Sequence, residues 1–428
     1  MRKITEPTEG LALDRNREAL YNEMMTALDR IAGEHMHLAA FRFFADVTRT
    51  WNERICGKRK KPLVVAAGTG IPDELLRAAG AVPFYILGGS REACMYSDDR
   101  VPRDADPVSR SVLGYLYQTA EEDPSDQLIL IPLYSDSMRK IAGQLTSAGR
   151  KVVTVDMPPL KESPDALEKW KGQVLQAVEA VSDHVHGRIT AASLRKAVRE
   201  AVKARSEMQM FLQTLTCEEN IFSPMARILV QNSYYYTDDL AEWTRALGRL
   251  RNEIWQSIYR KGEKYQDAPR ILLMGSPVYF PNEKLPSLFS DAHLRVIRNI
   301  DPSTEVFEII PHIAKAGNSA ERILMAVAEE WYRCDVSGAY IRNETLRQKI
   351  LEILGTEEVE GVVYHILKGQ IEPDFELTWF EELFEQADIP VFRLETDYQY
   401  QDVEQLRIRM EAFSEMLMQR RFTRRKAV

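Results

Sequence analysis

The chain has little that would take it out of the cytoplasm. No apolar run approaches the ~20 residues that a membrane span needs. Its opening residues, MRKITEPTEGLALDRNREAL, lack the apolar segment of a secretory signal. A cytoplasmic protein is the expectation. Cysteine is scarce: Cys56, Cys94, Cys217 and Cys334 are scattered singly through 428 residues, with no CxxC pair. Zinc sites and common iron–sulfur motifs need clustered thiolates, and disulfide frameworks belong to secreted chains, so neither is expected. Histidine is equally thin. The pairs His35/His37 and His184/His186 fall in helical patterns, where positions i and i+2 face different ways and do not chelate. An excess of positive charge is also missing. The net charge of −8 argues against nucleic acid as a partner, and the basic RRFTRRKAV at the end reads as a solvated tail.

What is present is an ordinary globular composition, 45% apolar and 28% charged, in a chain long enough for two or three domains. Residues 1–58 carry apolar residues at three- and four-residue spacing and predict a helical arm, free to meet a partner or to fold back on its own lobe. Residues 59–162 change pattern: PLVVAAGTG, AVPFYIL, DQLILIPLY and KVVTVDMPP read as strands, with PDELLRAAG and SMRKIAGQLTSAG as helices between them. Such alternation predicts parallel βαβ units. Residues 163–268 read as amphipathic helices with almost no strand signal. Residues 269–428 return to alternation, from PRILLMGSP through VEGVVYHIL and IPVFRLETD to a closing helix. Both α/β regions open with a strand followed by Gly and then Thr or Ser, with a Pro close behind (Gly68-Thr69 and Pro72, Gly275-Ser276 and Pro277), which hints at duplication. The predicted fold is therefore α/β: two flavodoxin-like parallel-sheet lobes, a helical segment between them and an N-terminal helical arm.

Ligands of open parallel sheets sit beyond the C-terminal strand ends, where helix N-termini offer free N–H groups. Gly68, Thr69, Gly70 and Glu74 follow the first strand and are candidates for such a loop, although neither a GxGxxG nor a Walker pattern is present. The plain alternative is a tight turn that needs glycine. Ser135 and Arg139 open a helix after a later strand, where Ser135 also reads as an N-cap. His365, Lys368 and Gln370 follow a strand of the second lobe as part of a polar cluster. No Ser–His–Asp set, paired-carboxylate hydrolase or metal motif is visible.

Five segments, in order, carry a resemblance. GTGIPDELLRAAGAVP, RDADPVSRSVLGY, LYSDSMRK, LLMGSPVYFPNEKLP, and VEGVVYHILKGQIEPDFEL with IPVFRLETDYQYQDVEQLRIRMEAFSEML resemble the catalytic components of 2-hydroxyacyl-CoA dehydratases and class I benzoyl-CoA reductases. The likeness runs from about residue 62 to 418. It implies paired homologous subunits that hold [4Fe–4S] clusters and take one electron from a separate ATP-hydrolysing iron–sulfur activator. It also implies a coenzyme A thioester as substrate. Dehydratases of this kind remove water from a 2-hydroxyacyl-CoA through a ketyl radical, giving an enoyl-CoA; the reductases reduce an aromatic ring.

The chain departs from the family at its cluster cysteines. The matching positions are Asp106, Ser135, Asp301 and Gln370. Oxygen ligands are harder and weaker for such a cluster than thiolate. The expectation is a chain that binds no cluster itself, inactive alone, paired with a homologous cysteine-bearing subunit and shaping the CoA and acyl pocket. Within that pocket Ser135, Arg139, His365, Lys368 and Gln370 are the candidate catalytic residues, and no metal site is expected. A subunit of a benzoyl-CoA reductase-type complex and a non-redox binding or scaffold paralogue are the alternatives.

Overall fold

The computed structural model describes residues 7–57, 63–119, 127–216, 222–261 and 268–427. Cys217 lies outside them, as do residues 1–6 and 428. Helices α1 (Pro7–Glu34) and α2 (Phe41–Ile55) form the arm. The arm folds back on its own chain. Trp51 of α2 donates its indole N–H to Tyr85 O at 2.7 Å, and its ring stacks on Tyr236 at 4.5 Å. His37 lies in the turn after α1 and His186 beyond a helix end with φ +53, so neither histidine pair shares a helix face.

The first lobe contains β1 (Val64–Ala67), α3 (Asp73–Ala78), β2 (Phe84–Ile86), α4 (Arg91–Ser97), α5 (Pro107–Thr119), β3 (Leu128–Leu133), α6 (Asp136–Ser147) and β4 (Lys151–Asp156). Its sheet is wholly parallel, in the order β2-β1-β3-β4. Four helices follow: α7 (Ala166–His184), α8 (Ala191–Thr214), α9 (Pro224–Tyr236) and α10 (Leu240–Lys261). The second lobe contains β5 (Arg270–Gly275), α11 (Lys284–Asp291), β6 (Arg295–Ile300), α12 (Pro302–Glu305), α13 (Ala320–Cys334), α14 (Glu344–Thr356), β7 (Gly361–Leu367), α15 (Ile371–Gln386), β8 (Val391–Thr396) and α16 (Val403–Ala427). Its sheet is again parallel, in the order β6-β5-β7-β8.

Counted within each lobe, both orders are 2-1-3-4, the flavodoxin-like arrangement. The shared opening has a shared geometry. Gly68 directly follows β1 and Gly275 ends β5, and both have φ +97. The central strands β1, β3 and β7 are apolar runs because parallel strands bury both faces, and every residue in these three is buried.

The helices between the lobes join them. α7 lies on β4 and against α13, where Trp170 donates to Ala328 O at 2.7 Å. α8 lies against α3, α10 and α13. One continuous apolar core runs from the arm through the first lobe and these helices to one face of the second sheet. A smaller core fills the other face, beneath α14 and α15. Among the described residues no helix is long and apolar enough to cross a membrane.

Candidate functional site

In a 2-1-3-4 sheet the chain reverses direction between its first and third strands, and the crevice beyond their C-terminal ends is where ligands bind. Here the two crevices meet. A cavity of about 80 Å³ lies between the ends of β3, β5, β6 and β7. Its wall from the first lobe is Asp106, Val108 and Ser109 at the start of α5, with Tyr134, Ser135 and Met138 around the start of α6. The second lobe adds Gly275, Ser276, Ile300, Asp301, Ser337, Gln370, Glu372 and Glu376 among others.

All four positions matched to cluster cysteines therefore line one cavity: Asp106, Ser135, Asp301 and Gln370. Each is the residue before a helix. Asp106 Oδ1 accepts the Ser109 N–H at 2.9 Å, with Pro107 at the first helical position. Ser135 Oγ accepts the Met138 N–H at 3.2 Å, which satisfies one orphan donor of α6. Asp301 accepts from the backbone of Ser303 at 2.8 Å and Thr304 at 3.3 Å. Gln370 precedes α15 and turns its amide across the cavity instead of capping.

The amide of Gln370 ties the lobes together. Its Oε1 accepts from Ser276 Oγ at 2.6 Å, and its Nε2 donates to Asp106 Oδ1 at 3.4 Å. Gly369, with φ +87, makes that approach possible. A Cβ there would stand 2.5 Å from Asp104 O and 2.9 Å from Asp106 N. Burial pushes the carboxyls of Asp301 and Glu372 upward, and that of Glu376 up to about 7. Glu376 is held by Asn343 Nδ2 at 2.7 Å and Tyr364 O–H at 3.2 Å.

The other sequence candidates stand elsewhere. The Gly68–Gly70 loop does not open on the cavity, because the Tyr134 ring fills the space beyond it. A Cβ on Gly68 would lie 2.2 Å from the Tyr134 hydroxyl, and one on Gly70 3.4 Å from its ring. Thr69 is buried with them. Glu74 is fully buried in a charged network with Arg205. Arg139 is half exposed and paired with Asp156 at 3.0 Å. Lys368 points to solvent, with Asp397 at 3.3 Å. His365 is buried behind Ser276, donating from Nδ1 to Ser276 O at 2.9 Å, and burial holds its pKa down at about 4. It is a neutral imidazole of the core.

Reading the sequence missed Ser109, Ser276, Ser337 and Glu376. They come from four separate segments, and all but Ser337 lay in stretches that carry the family likeness. The donors at the four matched positions are two carboxylates, a hydroxyl and an amide, which do not fit the thiolate set of a [4Fe–4S] cluster. Cys94 does not make up the difference. Its thiol donates to Pro107 O at 3.2 Å, and burial pushes its pKa far up. Cys334 ends α13, and burial raises it to about 11. Among the described residues, no three of His, Cys, Asp and Glu stand where they could hold a metal ion.

Comparison with known proteins settles the family. Residues 69–417 match the 2-hydroxyglutaryl-CoA dehydratase D-component family. The chain belongs to this family. It is 25% identical over 351 residues to the (R)-phenyllactyl-CoA dehydratase beta subunit of Clostridium sporogenes, covering 81% of this chain and 89% of that protein. It is 23% identical over 376 residues to the putative dehydratase subunit YjiM of Escherichia coli (strain K12), covering 84% and 92%.

Proposed function

We propose that this D-component relative is one subunit of a 2-hydroxyacyl-CoA dehydratase-type enzyme, converting a 2-hydroxyacyl-CoA to an enoyl-CoA, and that it is the half without a cluster. It acts with a homologous cysteine-bearing subunit and an ATP-hydrolysing iron–sulfur activator. The observation that carries this reading is the inter-lobe cavity. The four positions matched to cluster cysteines converge there, and each holds an oxygen or amide donor already engaged in helix capping or lobe contact. The cavity itself is the acyl-binding part of the shared pocket: helix starts and hydroxyls supply its polar wall, and Val108, Met138, Ile300 and Leu346 its apolar one. Dehydration is favoured over ring reduction because both relatives named above are called dehydratase subunits.

The test is reconstitution. The chain, a cysteine-bearing homologue and the activator are combined anaerobically with ATP and a 2-hydroxyacyl-CoA, and enoyl-CoA formation is followed. Activity should need both subunits, and Gln370→Ala should lower it while the melting temperature stays within a few degrees. Full activity without this chain would overturn the proposal, and so would ring reduction in place of dehydration.

A further inference from the structure

The acids of the cavity are not alike. Its lining holds four carboxyl groups, Asp106, Asp301, Glu372 and Glu376, and no lysine, arginine or histidine. Asp301 takes hydrogen bonds at both oxygens, from Ser303 and Thr304 on one and Asn299 on the other. Glu376 is likewise served at both oxygens. Asp106 is served at only one. Its Oδ1 accepts from Ser109 N and Gln370 Nε2, while Oδ2 is buried and makes no hydrogen bond. One turn along, the Ser109 hydroxyl is also buried without a partner. Both residues are 1% exposed.

A buried carboxylate oxygen without a donor is costly, and native proteins leave few such atoms. Beside a cavity, the missing donor is supplied by what the cavity takes up. The lining decides its chemistry. An anion would meet four acids and no cation. A purely apolar group would leave Asp106 and Ser109 as they are. Gln370 cannot turn to serve either atom, since both ends of its amide are engaged.

We infer that the cavity is a specificity pocket for an uncharged acyl chain bearing a hydroxyl group, with Asp106 and Ser109 as the residues that read the hydroxyl. The ligand O–H donates to Asp106 Oδ2, and the Ser109 O–H donates to the ligand oxygen. Acyl chains that end in a carboxylate are turned away by the acidic wall. The volume of about 80 Å³ limits the chain to a few carbon atoms. This inference rests on the reading of the cavity as the acyl-binding part of the pocket.

The test is equilibrium binding of three thioesters of N-acetylcysteamine to the full chain: 2-hydroxybutanoyl, butanoyl and 2-hydroxyglutaryl. The hydroxylated neutral thioester should bind about tenfold or more tightly than butanoyl, the fold-change of one net hydrogen bond. The 2-hydroxyglutaryl thioester should bind weakest. Asp106→Asn should bring the hydroxyl preference close to one. Ser109→Ala, which keeps the cap of α5, should reduce it in part. Equal binding of the two neutral thioesters, a preference that survives Asp106→Asn, or no binding of any thioester overturns the inference. Activity of the reconstituted pair is read separately. An active pair whose chain shows no hydroxyl preference sinks the pocket assignment alone. A silent pair whose chain keeps the preference sinks the subunit reading instead.

Discussion

Asp73 and Asp106 are both buried acids near the start of a first-lobe helix, and they are treated in opposite ways. Asp73 and its neighbour Glu74 sit in a closed network. Arg205 of α8 reaches Asp73 Oδ1 at 2.5 Å and Glu74 at 2.8 and 3.1 Å. Tyr234 donates to Asp73 Oδ2 at 2.9 Å, and Trp331 of the second lobe to Glu74 at 3.0 Å. All four carboxylate oxygens have donors. Burial and the adjacent Asp73 push Glu74 upward; burial pushes Asp73 upward too, but Arg205, Glu74, Arg77 and Tyr234 together outweigh it and hold Asp73 low. Asp106 lacks a donor at one oxygen and faces a cavity. A satisfied buried acid locks helices together, and an unsatisfied one marks where something else is expected to bind.

The largest effect separating the two should come from Arg205→Met. It leaves two buried carboxyls without their cation, at a cost on the order of 3–5 kcal/mol in chemical denaturation. A loss below about 1 kcal/mol would show the network to be decoration. Next in size is a pH effect behind the cavity wall. His365 has its pKa lowered to about 4 in the folded chain, against 6.5 for an ordinary histidine. Between those values the unfolded chain binds the extra proton, so the stability from neutral His365 is complete above pH 6.5 and lost as pH falls toward 4. The size is on the order of 3 kcal/mol.

Glu376 works the other way. Its folded pKa of about 7 lies above the ordinary 4.5, so its contribution is complete below pH 4.5 and lost as pH rises through 7. Comparing His365→Gln and Glu376→Gln with the parent chain across pH 4–8 separates the two slopes; equal slopes in all three would contradict both shifts. Ser135→Ala should cost about 1 kcal/mol, since it removes the cap of α6 along with a cavity hydroxyl. Its effect on activity therefore has to be read beside its effect on stability. Smallest is Asp106→Asn, expected within about 1 kcal/mol of the parent because the amide oxygen can keep the Ser109 N–H bond. A loss near that of Arg205→Met would erase the distinction between the two acids.

The lobes were legible because strand–helix alternation and the repeated strand-end Gly followed by Thr or Ser follow from local backbone demands. The cap role of Ser135 is of the same local kind, whereas that of Asp301 came only from the structure. The departure from the family's cysteines was legible too, but only by resemblance. What local pattern could not show is what fills the space next to a loop. GTG reads as a phosphate-approaching turn until Tyr134, from beyond the third strand, is found sitting on it. Nor could it show pairings across long separations. Asp73 and Arg205 are 132 residues apart, and Asp106 and Gln370 264 apart. PDELLRAAG reads as a helix with Glu74 a candidate for the strand-end site, and only the fold turns Asp73 and Glu74 inward onto Arg205.

The central claim is that this subunit carries no cluster and completes one that does. Iron and acid-labile sulfide, measured on the anaerobically purified chain alone and then with a cysteine-bearing homologue, test it most directly. The account predicts neither element on the chain alone and about four of each per cluster in the pair. About four irons on the isolated chain would contradict it, because Asp106, Ser135, Asp301 and Gln370 would then be cluster ligands after all, or other cysteines would have taken their place.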